Sequence, residues 1–295
     1  MIEFLESVLR GLGLGSAYAL LAIGFVIIFK STGVVSFAQP AMMLTGAVVV
    51  SYLSPEVGFF AAMALGFLAL AALGLFVERT AIRPMVGRPV FVVAIITIGI
   101  DIAVRVVANG FIGLGARPIG DPWGISRLSI GELEVQWRHL AMMVTTAIVL
   151  AVLFWFFRYT RYGLAMRATA FDQEAALTQG VNVGSVFALS WALAAGLAAI
   201  AGSLLATGTG VDRQLWIITL VALPAIILGG LDSLEGAVIG GLVVGVVESL
   251  VGTYQSQLAP WLGNNFASVS PYVVMLLVLM IRPYGLFGTP EVERV

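Results

Sequence analysis

Long apolar runs recur along this chain of 295 residues, and short charged or glycine-rich connectors separate them. A helix that crosses a bilayer needs about 20 predominantly apolar residues, which is the length of most of these runs. Hydrophobic residues make up 60% of the sequence and charged residues 11%. The pattern predicts an all-α integral membrane protein, a polytopic bundle of about 8–10 transmembrane helices that forms a single domain over residues 1–295.

The apolar runs and their breakers predict nine spans. The seventh and ninth are short enough to be broken or re-entrant. Backbone can leave the helix at membrane depth only where protein or a water-filled cavity provides hydrogen-bond partners for its N–H and C=O groups. Pro40 and Pro224 mark two such places. The predicted spans are Leu9–Phe29, Val34–Leu53, Val57–Val77, Val90–Ala108, Leu140–Phe157, Ser185–Ala206, Leu215–Leu228, Gly236–Thr253 and Tyr272–Ile281.

The distribution of basic residues predicts the orientation, because cytoplasmic loops carry an excess of Lys and Arg. Arginines follow the third and fifth spans and occur again in the tail, so these regions are expected to be cytoplasmic and the N-terminus to lie outside. An outer loop then covers about 109–139, and a cytoplasmic loop covers about 158–184. The arginines in question are Arg79, Arg83, Arg88, Arg158, Arg161, Arg167, Arg282 and Arg294.

The outer loop alternates apolar and polar residues over 128–137, after a glycine-rich stretch. This alternation predicts a small hairpin that turns near Gly131–Glu132. Long ordered loops are often functional. Two interpretations stay open: a structured connector, or a docking surface for a partner outside the membrane.

The cytoplasmic loop predicts a short helix. Thr169 stands three residues before Asp172, the spacing at which a hydroxyl and an acidic side chain cap a helix start. Gly180 tolerates the left-handed conformation at a helix end, and Phe171 and Ala175 share a face. The helix is acidic with a small apolar face, whereas interfacial helices carry a larger apolar face and basic residues. This favours insertion into a groove of a protein partner over a position in the lipid interface.

Several kinds of chemistry are excluded by the residue types. The chain has no cysteine and a single histidine, His139, so a thiolate nucleophile or a zinc cluster is not expected. His139 stands alone at the edge of a span, where it is expected to be solvated. The phosphate-binding Walker A pattern is missing, so if the protein uses ATP, another chain binds it. We expect no catalytic or metal site in this chain and no nucleic-acid partner.

The fourth predicted span carries a polar stripe, Thr97, Asp101 and Arg105, at i, i+4 and i+8. Such a stripe faces protein or water rather than lipid. In one interpretation it lines a translocation pathway and meets a zwitterionic solute. In the other, Asp101 and Arg105 form a structural ion pair near the outer end.

Other polar residues in the spans are further candidates for the pathway. Glu248 on the eighth span is either structural or part of the pathway. Pro40 disfavours helix at the preceding Gln39, and a break there would present backbone polar groups to a solute, whereas a kink would not. The accompanying polar residues of the second span are Ser36, Gln39 and Thr45.

Glycines recur at GxxxG spacing on the first and eighth spans, and small residues at this spacing let helices approach closely. They serve packing within one subunit or an interface with a second membrane subunit. These glycines are Gly11, Gly15, Gly236, Gly240, Gly241 and Gly245.

Part of the cytoplasmic loop resembles the coupling segment of bacterial ABC importer permeases: Glu174, Ala175, Ala176 and Gly180 match the start of its motif, although the apolar continuation is absent. Most of the chain is similar to the branched-chain amino-acid (LivH/LivM-type) permeases. The chain departs from that family at Ser36, Gln39 and Pro40, where Asn, His and Gly are common. The matching segments, in family order, are Gly11–Gly24, Val35–Gln39, Glu78–Pro84, Ile227–Leu231, Pro283–Gly288 and Glu291–Glu293.

This resemblance implies a multi-pass permease of the bacterial cytoplasmic (inner) membrane that imports branched-chain or related amino acids. It also implies four further components: a second permease, which would form a heterodimer with this chain, two cytoplasmic ATPases that bind ATP and Mg²⁺, and an extracytoplasmic solute-binding protein. The residues around Pro40 leave urea, amides or another small polar solute open as the cargo. An alternative of another class is a stand-alone secondary transporter or channel with Asp101 or Glu248 as its ion site.

Overall fold

The computed structural model describes residues 1–85, 87–113, 115–258, 261 and 266–289. Arg294 and the segment Glu291–Glu293, both used in the sequence interpretation, lie outside these residues. The described helices are α1 (Ile2–Thr32), α2 (Gln39–Val57), α3 (Phe59–Val77), α4 (Val90–Gly110), α5 (Trp137–Tyr159), α6 (Arg161–Phe171), α7 (Gln173–Thr178), α8 (Val183–Leu205), α9 (Ile218–Gly229), α10 (Leu234–Leu258) and α11 (Phe266–Ile281); the described strands are β1 (Arg127–Ile130) and β2 (Leu133–Gln136).

A bundle of apolar helices makes up most of the described chain. Within the described ranges, six helical stretches are long and apolar enough to cross a membrane; they begin at Ile2, Phe59, Val90, Trp137, Val183 and Leu234. Each of the nine predicted spans corresponds to a helix, and α9 and α11 are shorter apolar helices, as expected. The predicted fold class, a polytopic all-α membrane protein, is confirmed.

Helix α1 forms the centre of the bundle and packs against α5, α8, α9 and α10. Small residues let these neighbours approach its axis, and its larger side chains, such as Leu20, Leu21 and Ile23, are fully buried. At the usual rise its 31 residues span about 46 Å. By contrast, few residues of α4 and α5 are buried, as expected of helices at the outside of a bundle.

Helix α2 begins at Gln39, so the predicted start at Val34 is wrong. Residues 33–38 form a non-helical segment, and Pro40 occupies the first turn of the helix. A proline in the first turn is tolerated because its missing N–H would have no partner inside the helix. The backbone thus leaves the helix before Pro40. At Pro224 the predicted break is wrong, because α9 continues through this residue.

Two other helices differ from the simple prediction, α3 at its end and α11 at its start. Helix α3 continues through a π-helical turn, Glu78–Ile82, into a short 3₁₀ turn. Helix α11 begins at Phe266 rather than at the predicted Tyr272, with Pro271 inside it. Pro271 removes the donor that would bond the carbonyl of Ala267, and the hydroxyl of Ser270 donates to that carbonyl instead, at 2.7 Å.

Strands β1 and β2 form the predicted hairpin. They pair antiparallel, with Ile130 opposite Leu133, and Gly131 adopts a φ of 66°, as the first central residue of a type II′ turn requires. The backbone N–H of Glu134 donates to the carboxylate of Glu6 at 2.7 Å. The hairpin is therefore held against the N-terminal end of α1.

Candidate functional site

The start of α2 lies against the middle of α4. The backbone N–H of Phe37 donates to the hydroxyl of Thr97 at 3.0 Å, and the N–H of Ala41 donates to the carboxylate of Asp101 at 2.9 Å. Thr97 is seven residues into α4, about 10 Å along its axis. The chain therefore returns into the bundle after α1, and α2 begins about two turns of α4 inside the bundle.

Asp101 and Arg105 form an ion pair at 2.7 Å. The guanidinium of Arg105 lies 3.8 Å from the ring centre of Trp216, in the 3₁₀ turn before α9. The predicted ion pair is therefore present, and Arg105 lies five residues before the end of α4 at Gly110. The stripe joins α2, α4 and the start of α9 through Asp101 and Arg105. Sequence reasoning missed Trp216, because neither its spacing nor its neighbours indicate a cation partner.

The polar residues around Pro40 are mostly bonded within their own segment. The hydroxyl of Ser36 accepts from the N–H of Ala38, and that of Thr45 donates to the carbonyl of Ala41. Gln39 is 2% exposed, and its Nε2 has no hydrogen-bond partner among the described residues. A side-chain carbon at Gly24 would lie 2.5 Å from that Nε2, so the amide packs closely against α1. Contact of these residues with a solute stays a prediction.

Glu248 lies between α10 and α1. Its carboxylate accepts a hydrogen bond from the hydroxyl of Tyr18 at 2.8 Å. Glu248 is half-buried, and the hydrogen bond lowers the free-energy cost of withdrawing its carboxylate from water. The bond gives Glu248 a structural role at the centre of the bundle, and its role in a pathway stays a prediction.

The predicted glycines lie where backbones meet inside the chain. On α10, Gly241 and Gly245 face Gly15 and Ala19 of α1, and a side-chain carbon at Gly11 would lie 2.6 Å from the Cα of Val246. Gly236 and Gly240 contact α9 in the same way, at the carbonyls of Gly229 and Ala225. The first of these two contacts, between α1 and α10, is called the glycine seam here; it consists of Gly11, Gly15, Gly241 and Gly245.

The loop predicted to be cytoplasmic, residues 158–184, forms two helices rather than the one predicted. Helix α6 begins after Thr160, whose hydroxyl accepts from the N–H of Gly163 at 3.0 Å. Thr169 lies inside α6 and is buried, so the predicted cap at Thr169 is wrong. Asp172 caps α7 instead, and its carboxylate accepts from the N–H of Ala175 at 3.0 Å. Gly180 has the predicted left-handed conformation, with a φ of 80°.

The turn between α6 and α7 presents an exposed surface. Phe171 is 95% exposed and Leu177 is 57% exposed. Asp172, Glu174 and Ala175 are exposed as well, whereas Ala176 is buried against the protein. We call the set Phe171, Asp172, Glu174, Ala175 and Leu177 the coupling surface, after the ATPase-coupling role that is predicted for this loop. An exposed aromatic residue beside a capped helix is well suited to insertion into a groove of another protein.

Two polar contacts connect this region to the bundle, and sequence reasoning missed both. The amide of Gln173 donates to the carbonyl of Ser31, near the end of α1, at 3.0 Å. Arg83 pairs with buried Glu78 at 3.0 Å and donates to the carbonyl of Gly184 near the start of α8. The pair has an i, i+5 spacing that regular α-helices do not bring together, and the π turn makes it possible.

His139 is not solvated as predicted: it is 3% exposed. A side-chain carbon at Gly13 would lie 2.6 Å from its Cβ, so the ring packs against α1. Within the described ranges, no group of three or more His, Asp or Glu side chains is arranged to hold a metal ion.

Comparison with known proteins gives a family match. Residues 7–280 match the family described as "Branched-chain amino acid transport system / permease component". The chain is 30% identical to the high-affinity branched-chain amino acid transport system permease protein LivH of Salmonella typhimurium, over 100% of this chain and 98% of that protein. It is 30% identical to the permease BraD of Pseudomonas aeruginosa, over 99% and 98%.

A solved structure, PsaBC from Streptococcus pneumoniae in complex with Fab, aligns with 97% of this chain and 94% of its own. The TM-score is 0.49 and the sequence identity is 15%.

Proposed function

This chain belongs to the family of branched-chain amino acid transport system permease components, and on that premise we propose that it is the transmembrane permease subunit of an ABC importer for branched-chain or related amino acids. The observation that carries the proposal is the extent of the similarity, which covers nearly the full length of relatives named as such permeases. The exposed coupling surface between α6 and α7 supports it.

The proposed assembly contains this chain, a second permease as a heterodimeric partner, two cytoplasmic ATPases and an extracytoplasmic solute-binding protein. ATP and Mg²⁺ bind to the ATPases, where hydrolysis takes place, and this chain carries out no chemistry itself. The assembly resides in the bacterial cytoplasmic membrane. Arginines of the connector after α3 and of α6 support an orientation with the coupling surface in the cytoplasm.

The contacts of α7 with the bundle provide a path by which movement of the ATPases reaches the transmembrane helices. Closure of the ATPases on nucleotide moves α7, and Gln173 transmits this movement to the end of α1 through the carbonyl of Ser31. The segment 33–38 follows α1 directly and leads into the buried start of α2, which Thr97 and Asp101 hold. A shift at α7 thereby changes the packing at mid-bundle, and the cavity alternates between outward and inward openings.

Transport by the reconstituted importer tests the proposal. The tagged chain is purified in mild detergent with its partners and placed in liposomes with ATP on the ATPase side and binding protein on the other. Uptake of radiolabelled leucine, isoleucine and valine is expected to require hydrolysable ATP. Uptake that a proton gradient drives without ATP would contradict the proposal and favour a secondary transporter.

A competition series identifies the solute class. Unlabelled leucine is expected to suppress uptake of labelled isoleucine. If leucine binds neither the binding protein nor the importer while urea or a short amide does, the importer assignment stands and the amino-acid assignment fails.

A further inference from the structure

A cavity of about 760 Å³ opens at the end of the bundle where α1 and α5 end and α6 and α10 begin. Lys30, Arg158 and Arg167 lie in its wall, together with Glu235. The wall thus carries three basic side chains and one acidic side chain among the described residues that line the cavity. A neighbouring cavity of about 650 Å³ shares Lys30, Arg167 and Glu235 but adds Asp172 and Asp232, so the excess of positive charge belongs to the first.

The cavity changes from apolar to basic along the membrane axis. Ile27 lies about one helical turn before Lys30 on α1, and Phe154 lies about one turn before Arg158 on α5. Both pairs line the cavity, so apolar side chains lie deeper in the bundle and cations lie at its end. A phospholipid has the same order, an acyl chain beneath a phosphate.

These cations are available to a ligand. Within the described ranges the ion pairs join Arg83 to Glu78, Arg105 to Asp101 and Arg127 to Glu134. None of them uses a basic residue of this cavity. Arg158 makes a contact with the ring of Tyr159 at 5.7 Å, which leaves its donors free. Clustered cations without carboxylate partners attract an anion.

Exposed aromatic residues place the cavity at the membrane–water interface. Trp155, Tyr159 and Tyr162 are between 59% and 68% exposed around Arg158. Trp and Tyr gather at the headgroup level of membranes. The outer surface of α5 below them is apolar and exposed, at Val144, Ile148 and Val152, so lipid has access to the same end of the helix.

We propose that this cavity binds an anionic phospholipid of the phosphatidylglycerol type. Its phosphate lies among Lys30, Arg158 and Arg167, its acyl chain contacts Ile27 and Phe154, and its glycerol hydroxyls donate to Glu235. Basic pockets between transmembrane helices on the cytoplasmic side bind such headgroups. The lipid would fix α6, which leads into the coupling surface, against α1 and α5. The inference concerns lipid binding and does not depend on the transported solute.

Native mass spectrometry of the purified importer tests the site by titration with phosphatidylglycerol, phosphatidylethanolamine and phosphatidylcholine. For the wild type, the apparent Kd for phosphatidylglycerol is expected to be about tenfold lower than for the other two. The triple variant Lys30→Gln/Arg158→Gln/Arg167→Gln is expected to lose about tenfold of this affinity. The matched control Arg79→Gln/Arg88→Gln/Arg161→Gln removes three exposed arginines outside the cavity and should bind like the wild type.

Equal affinity of the wild type for all three lipids would overturn the proposal, and so would an equal loss in the control variant. If the triple variant keeps its lipid preference but loses the ATPases on purification, the cations serve the protein partner and the lipid site is wrong. A photoreactive phosphatidylglycerol on the wild type gives a measurement that does not depend on folding of a variant. Its crosslinks are expected within residues 27–31 and 154–170, and labelling confined to other segments would contradict the site.

Discussion

The carboxylate of Asp101 in α4 accepts the backbone N–H of Ala41, in the first turn of α2, at 2.9 Å. A helix start leaves four N–H groups without partners inside the helix, and here a residue 60 positions away satisfies one of them. The same carboxylate pairs with Arg105. One side chain therefore holds a helix start and a cation together inside the bundle.

Asp101→Ala is expected to destabilise the chain more than most substitutions in α4. It leaves the N–H of Ala41 without its partner and Arg105 without its counter-charge, and breaking a buried ion pair costs on the order of 3 kcal/mol. The thermal transition in detergent, followed by size-exclusion fluorescence, should fall. The double variant Asp101→Ala/Arg105→Leu removes the unpaired charge as well and should recover part of the loss. A double variant less stable than the single one would contradict this account.

Asp172→Ala is expected to fray α7, because the carboxylate caps the helix through the N–H of Ala175. Loss of such a cap costs about 1 kcal/mol, a large fraction of the stability of a six-residue helix. ATP-driven uptake and ATPase co-purification should both fall, and Asp172→Asn, which keeps a capping oxygen, should restore them.

Asp121→Ala is a matched control for this prediction, since it removes an equivalent bond to the N–H of Gly124 in the loop between α4 and β1. ATPase co-purification should be unchanged in this variant. If Asp172→Ala shows wild-type uptake and wild-type ATPase co-purification, the cap at Asp172 is not required for coupling.

Sequence patterns predicted the features that depend on local order. Apolar runs gave the helices, alternation gave the hairpin, and Gly180 marked a helix end because few other residues adopt its backbone conformation. Pro40 gave a local signal for the break before α2, but the bond from the N–H of Ala41 to Asp101, far away in sequence, could not be predicted from any local pattern. The cap at Thr169 failed because two other residues, Thr160 and Asp172, have the same capping chemistry nearby.

Two other contacts could not be predicted from the sequence, because they depend on backbone geometry. The pair Glu78 and Arg83 requires a π turn, which the usual i, i+4 pattern does not include. The contact of Gln173 with the carbonyl of Ser31 involves a backbone acceptor, and backbone acceptors are present at every residue. Sequence could therefore predict which residues form a coupling surface, but it could not predict the contact of Gln173 with α1.

Phe171→Asp, alone or with Ala175→Asp, is expected to abolish uptake while membrane insertion stays normal. Phe171 is almost fully exposed and contributes little to the fold of the isolated chain. Loss of an aromatic anchor from an interface costs about 2 kcal/mol or more, so ATPase binding should weaken by more than about tenfold. Pull-down of the ATPases and an uptake assay measure both effects.

Ile125→Asp provides a control of similar exposure, because Ile125 is 88% exposed in the loop between α4 and β1. ATPase binding in this variant should match the wild type. If Phe171→Asp retains normal ATPase binding and uptake, the coupling surface has been assigned to the wrong residues.

Gly245→Ala is expected to force α1 and α10 apart at the glycine seam. The added carbon would lie 2.3 Å from the backbone nitrogen of Gly15. Because that atom belongs to a backbone, no side-chain rotation relieves the clash. Overpacking of this kind costs about 1–3 kcal/mol, and the thermal transition in detergent should fall by several degrees.

Gly252→Ala on the same helix separates this clash from the general effect of replacing glycine. Its new carbon would lie 3.6 Å from the Cβ of Ala267, an ordinary contact. Alanine favours a helix over glycine by up to about 1 kcal/mol, so this variant should be as stable as the wild type or more stable. Both substitutions change helix propensity equally, and the difference between their transitions therefore reports the close approach of α1 and α10. Equal transitions for the two variants would mean that the seam yields without cost and does not hold the bundle together.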